Sequence, residues 1–136
     1  MELLSNLFSK ILIPEAVYRE ISIKHDIVLP VFMEVVNVEK NATLKLLSQL
    51  LDEGESEAIA LALEQKLRLI IDEKKGRKIA IAQGLEIIGL LGIVYLNIKK
   101  AFISKKEAEL FLERALEHGY RINPKLITTM FVRLEE

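Results

Sequence analysis

The sequence contains no cysteine and only two histidines. Without cysteine the protein has neither disulfide bonds nor thiolate metal ligands, and nothing indicates an oxidising compartment. The histidines, His25 and His118, are far apart in the sequence and lack the spacing of zinc ligands, so we expect no zinc site. Carboxylates are therefore the side chains that remain available for metal chemistry.

Long hydrophobic runs are also absent. The longest, residues 85–98, includes Glu86 and Asn97 and is shorter than the roughly 20 residues of a membrane-spanning helix. The opening residues MELLSNLF carry Glu2 where a signal peptide carries lysine or arginine. The net charge of −1 gives no overall attraction to nucleic acid, so such binding would need a local basic patch. We expect a cytoplasmic protein that does not enter a membrane.

Short apolar segments alternate with longer helical patterns along the 136 residues. Strands are predicted over residues 11–13, 32–38, 67–71 and 86–88, and helices between and after them. Pro14 is expected to open a helix, Gly54 to separate two helices, and Ser104 with Glu107 to form a capping box. The alternation favours an α/β fold with a mostly parallel, helix-covered sheet in a single domain, residues 1–136.

Several carboxylates lie where helices begin or strands end. Asp72 directly follows the predicted strand 67–71, and Glu55 and Glu57 are expected in the first turn of the preceding helix. Glu20 is expected near the middle of the helix after strand 11–13. Ligands bind beyond the carboxyl ends of parallel strands, and carboxylates are the ligands of Mg²⁺ or Mn²⁺. The alternative is that these acids only cap helices or interact favourably with the helix dipoles.

Since a helix turns about 100° per residue, Glu55 and Glu57 point in different directions, and one of them is expected to face a site. A basic stretch follows Asp72. Its cations either form a solvated helix face or hold the phosphates of a nucleic acid; they are Lys74, Lys75, Arg77 and Lys78.

Five segments in series resemble a PIN-like family related to the toxin nucleases of prokaryotic toxin–antitoxin pairs. They are ILIPEAVYREI, DEGESEAIALALE, LRLIIDEKKGRKIA, LEIIGLLGIVYLNIKKAFI and GYRINPKL. The resemblance implies a three-layer α/β/α sandwich, an acidic pocket that binds Mg²⁺ or Mn²⁺, cleavage of RNA and an antitoxin protein as partner. Glu20, Glu57 and Asp72 match the family's acids, and Glu55 matches a further acid of the narrower family.

The sequence departs from the family pattern at its start, where the first strand and its aspartate are absent, and Leu90 replaces a small hydroxyl residue. A metal-dependent ribonuclease is therefore expected to be weak or inactive as this N-terminally truncated chain. One alternative is a catalytically dead module for protein binding or dimerisation. A third interpretation is that the sequence is only part of the gene product, through a misassigned start or a truncation. Strand edges left unpaired by the missing strand favour a homo-oligomer.

Overall fold

The structure, a computed structural model, describes residues 2–24 and 28–135. His25 lies outside the described residues. In the described part of the chain there are eight helices and four short strands. In chain order they are α1 (Leu3–Leu7), β1 (Ile11–Pro14), α2 (Glu15–Lys24), β2 (Met33–Val36), α3 (Ala42–Ser48), α4 (Glu53–Gln65), β3 (Leu69–Ile70), α5 (Lys74–Ala82), β4 (Ile87–Ile88), α6 (Leu90–Lys99), α7 (Lys105–Glu117) and α8 (Pro124–Leu134).

The strands form two parallel pairs. β1 pairs with β2, with Ile11 opposite Met33, and β3 pairs with β4, with Leu69 opposite Ile87. The mixture of helices with parallel strands confirms the predicted α/β class. The described strands are arranged as two separate two-stranded sheets.

The chain divides into two compact units, of which one comprises Phe8–Gly89 and the other Met1–Leu7 with Leu90–Glu136. In the first unit α4 contacts α2, α3, β1 and β3. Its residues Ile59, Ala60, Leu61 and Ala62 are buried in one apolar cluster with side chains from neighbouring elements, namely Leu44, Leu47, Leu69, Ile71 and Ala80. Burial of a large apolar side chain contributes about 1.5–3 kcal/mol, so this cluster fixes α4 firmly.

Two helix boundaries that position the acids differ from the sequence-based expectation. Gly54 does not separate two helices, because α4 begins at Glu53 and the Asp52 side chain accepts a hydrogen bond from Glu55 N. Pro14 is the last residue of β1 and α2 begins one residue later. Glu57 consequently lies in the second turn of α4 and Glu55 in the first.

The second unit contains α1, α6, α7 and α8. Its α7 has the predicted capping box, in which Ser104 Oγ accepts from Glu107 N and Glu107 Oε1 accepts from Ser104 N. No described helix has the length and apolar character needed to cross a membrane.

Asn97 joins α1 to α6 inside this second unit. Its side chain is fully buried. Asn97 Nδ2 donates to Leu3 O at 3.1 Å and to Ile93 O at 2.8 Å, and Asn97 Oδ1 accepts from Asn6 Nδ2 at 2.9 Å. A buried amide whose donors and acceptor are all used holds two helices in one position, since losing it leaves several polar groups unsatisfied.

The variant Asn97→Ala should lower the free energy of unfolding by about 2–4 kcal/mol, because it creates a cavity and leaves buried polar groups without partners. The matched control is Asn37→Ala, which removes an exposed asparagine and should cost less than about 0.5 kcal/mol. Urea denaturation of both variants measures the difference. A loss in Asn97→Ala as small as that in the control would contradict the role given to this side chain.

Candidate metal and nucleic-acid site

Glu20 lies on the exposed side of α2, and its carboxylate approaches the first turn of α4. A Cβ atom on Gly54 would lie 3.1 Å from Glu20 Oε1 and 3.3 Å from Oε2. The glycine therefore lets the carboxylate come close to the start of α4. The amino-terminal end of a helix carries unpaired backbone N–H groups and favours a negative charge.

Glu55 points from the first turn of α4 toward α5. A Cβ atom on Gly76 would lie 2.7 Å from Glu55 Oε2 and 3.3 Å from Glu73 Oε2, so both carboxyl groups meet at this glycine. Glu55 Oε2 is buried and has no hydrogen-bond partner in the described part of the chain. Glu73 accepts from Gly76 N at 2.6 Å and from Lys75 N at 3.1 Å, which caps α5.

These surroundings change the affinities of both carboxyl groups for a proton. Burial, followed by the neighbouring Glu73 and Asp52 carboxyl groups, raises the pKa of Glu55 to about 8. The hydrogen bond from Gly76 N, followed by the Glu55 carboxyl group, lowers the pKa of Glu73. At neutral pH one carboxyl group of this pair is therefore mostly protonated and the other carries the negative charge.

Glu57 points the other way, toward α2. Its Oε1 accepts a hydrogen bond of 3.1 Å from Ala16 N, in the first turn of that helix. The expectation that Glu55 and Glu57 diverge is thus confirmed, since one reaches Gly76 and the other reaches Ala16. Glu57 therefore has a structural role, because its carboxylate accepts a hydrogen bond from a backbone N–H that has no partner within α2.

Asp72 follows β3 and is exposed, and its Oδ1 lies against Gly89, which follows β4. A Cβ atom on Gly89 would overlap this oxygen. Because β3 and β4 are parallel, their carboxyl ends meet at one edge, and Asp72 lies at that edge as the sequence predicts. Directly beyond it the four predicted cations of α5 are all exposed: Lys74, Lys75, Arg77 and Lys78.

A family profile described as a PIN domain matches residues 1–136 of the chain. The chain belongs to the PIN-domain family. No significant match was found among curated proteins. Nor did any solved structure match significantly. Membership of this family implies a nuclease-type fold. It does not by itself establish a nuclease activity.

The four predicted acids of this PIN domain reach four places: Glu20 lies beside Gly54, Glu55 with Glu73 beside Gly76, and Asp72 beside Gly89. Glu57 lies at Ala16 N. Across residues 2–24 and 28–135, no three histidine, cysteine, aspartate or glutamate side chains are grouped so that they could hold one metal ion. The roles of Glu20, Glu55, Glu57 and Asp72 as metal ligands or catalysts remain predictions.

Sequence reasoning missed Glu73 and the three glycines that receive carboxylates. Glu73 immediately precedes a helical pattern, and an acid at that position is a recognisable capping signal. Of these glycines the sequence pattern singles out only Gly54, as a residue that separates two helices. Their contacts depend on residues from other elements, which the local pattern does not contain.

Glu55→Gln should change how the stability of the PIN domain depends on pH. The folded protein holds the Glu55 proton more tightly than the unfolded chain, so the stabilisation from this group is complete below pH 4.5 and is lost as the pH rises to about 8. Glutamine stays neutral, so the variant should gain stability relative to the wild type on going from about pH 4 to about pH 9.

Chemical denaturation at the two pH values measures this gain. The control is Glu64→Gln, which removes an exposed acid from the same helix and should alter stability equally at both. The same pH dependence in Glu55→Gln as in the wild type would show that Glu55 titrates normally.

Proposed function

We propose that this PIN domain is a ribonuclease that depends on Mg²⁺ or Mn²⁺ and cleaves RNA slowly. The observation that carries the proposal is the position of Asp72, an exposed residue at the carboxyl end of β3 and β4, just before the cationic start of α5. A metal ligand and phosphate-binding cations are thus supplied by one short segment. The family assignment supports the same class of reaction.

The residues fit a weakly held divalent ion better than a tightly held one. Mg²⁺ is often bound by one or two carboxylates together with water and substrate phosphate oxygens, so three protein ligands are not required. Glu55 Oε2, buried without a hydrogen-bond partner, marks a carboxyl group that a cation would stabilise in its ionised form. Glu57, engaged with Ala16 N, is the least suited of the predicted ligands.

In this mechanism Asp72 is the candidate metal ligand, and Glu20 and deprotonated Glu55, which lie beside other glycines, would have to move toward it to add further protein ligands. A bound divalent ion would supply an activated water molecule and neutralise charge at phosphorus. Lys74 and Lys75 in the first turn of α5 would attract the RNA backbone and orient it beside Asp72. With few protein ligands the ion is held loosely, which accounts for the slow cleavage that we expect.

RNA cleavage in Mn²⁺ with the purified protein tests this proposal. Asp72→Asn keeps the size of the side chain and removes its charge, so it should reduce the rate at least about tenfold, as loss of a metal partner does. Glu64→Gln should cleave like the wild type. Mn²⁺ should also raise the Tm of the wild type, and this rise should be smaller in Asp72→Asn.

Cleavage that persists in Asp72→Asn, or that does not require a divalent ion, would contradict the assignment. No cleavage by the wild type, together with no Mn²⁺-dependent change in Tm, would reject the nuclease proposal as a whole.

The second candidate is a PIN domain without catalysis that binds a protein, for which the antitoxin of a toxin–antitoxin pair is the proposed partner. It is favoured by the separation of the four predicted acids within the described residues and by the hydrogen bond that Glu57 accepts from Ala16 N. This candidate predicts normal folding with no metal-dependent cleavage, so the same experiment distinguishes the two.

A further inference from the structure

The connection between α6 and α7 concentrates positive charge within the second unit. Residues 99–106, here called the α6–α7 corner, contain no acidic residue and four exposed lysines: Lys99, Lys100, Lys105 and Lys106. Lys105 has an ion pair with Glu135 at 4.0 Å, but both side chains are exposed, so this pair neutralises little of the charge. The chain as a whole has a net charge of −1, so the corner is a local basic patch.

The backbone of the α6–α7 corner is held at both ends. Phe102 N donates to the backbone oxygen of buried Asn97 at 2.9 Å, and Ala101 turns the chain with a left-handed φ of 61°. That conformation is unfavourable for a residue with a Cβ atom, so the surrounding contacts maintain it. Ile103 is buried, and Ser104 begins the capping box of α7. The lysines are therefore attached to a backbone of defined conformation.

Phe102 lies between the two pairs of lysines and is 51% exposed. A single exposed apolar residue is ordinary at a protein surface. This ring, however, has cations on both sides of it in the sequence. Aromatic rings on which bases stack, together with cations that contact the phosphates, are the elements of sites that bind single-stranded nucleic acid.

The stability of α7 does not account for the lysines at its start. Lys105 and Lys106 are in its first turn, where the helix dipole favours acids and disfavours cations. The acid of that turn, Glu107, already accepts a hydrogen bond from Ser104 N. Lys99, by contrast, is in the last turn of α6, where a cation stabilises the helix. The pair in α7 thus indicates a role in binding an anion.

We propose that the α6–α7 corner binds single-stranded RNA, with the phosphates beside its lysines and one base stacked on Phe102. This inference rests on the proposed action on RNA and adds a binding surface to the cations of α5. The bases of a duplex are already stacked and are not accessible to the ring, so a single strand is favoured. One phenyl ring offers little of the apolar area on which binding to a membrane surface depends.

Fluorescence anisotropy with a labelled single-stranded RNA of about 12 nucleotides, in EDTA, measures the binding. Phe102→Ala should raise Kd at least about fivefold, and Phe102→Tyr should bind like the wild type because it keeps a ring. Lys105→Gln with Lys106→Gln should reduce the slope of log K against log salt concentration by about 1.4. Lys40→Gln with Lys45→Gln makes the same change of charge at exposed lysines elsewhere and should leave Kd and slope nearly unchanged.

Circular dichroism verifies that each variant is folded. RNA binding that is unchanged in Phe102→Ala, or in the double variant of α7, would overturn the proposal. So would equally tight binding of a duplex of the same length, or binding of the wild type to vesicles of anionic lipid but not to RNA.

Binding in EDTA is separate from cleavage, so the two proposals can fail independently. Binding that depends on the α6–α7 corner, without any cleavage in Mn²⁺, would support this inference and reject the ribonuclease. Cleavage in Mn²⁺ together with RNA binding that is insensitive to the corner variants would do the reverse.

Discussion

The burial of α4 is the constraint on which the rest of the Phe8–Gly89 unit depends. This helix contacts α2, α3, β1 and β3, and four consecutive residues, Ile59 to Ala62, are buried. A helix that is apolar around most of its circumference cannot rotate without exposing part of the core. The directions of its polar residues are consequently fixed, so Glu55 must face α5 and Glu57 must face α2.

The fixed position of α4 has a second consequence. Carboxyl groups from one helix lie against the first turn of another helix, at positions where a glycine has no side chain. Gly54 admits Glu20, and Gly76 admits Glu55 beside Glu73. At Gly54 the carboxylate is that of Glu20. At Gly76 the negative charge is that of Glu73, because burial raises the pKa of Glu55 to about 8. The same acids that the proposed function needs therefore also stabilise the fold, and a substitution at any of them can change both properties.

The acids differ in exposure, protonation and hydrogen bonding because their surroundings differ. Asp72 is exposed and lies next to cationic side chains, so it can meet a substrate. Burial and the neighbouring carboxyl groups keep Glu55 mostly protonated at neutral pH, so a cation would have to displace its proton. Glu57 is engaged by a backbone N–H. The loose metal binding that we propose follows from these different uses of the acids.

The sequence by itself determined the α/β class, the approximate positions of the four strands, the capping box at Ser104 and the location of Asp72 after a strand. These features depend on local periodicity, capping chemistry and chain order, all of which are present in a short stretch of residues. Tertiary structure decided which residues these acids contact. Glu20 lies against Gly54, and Glu55 lies close to Glu73. Glu57 accepts a hydrogen bond from Ala16 N. Such contacts join residues far apart in the chain, and their formation depends on how the buried face of α4 packs, which no local pattern specifies.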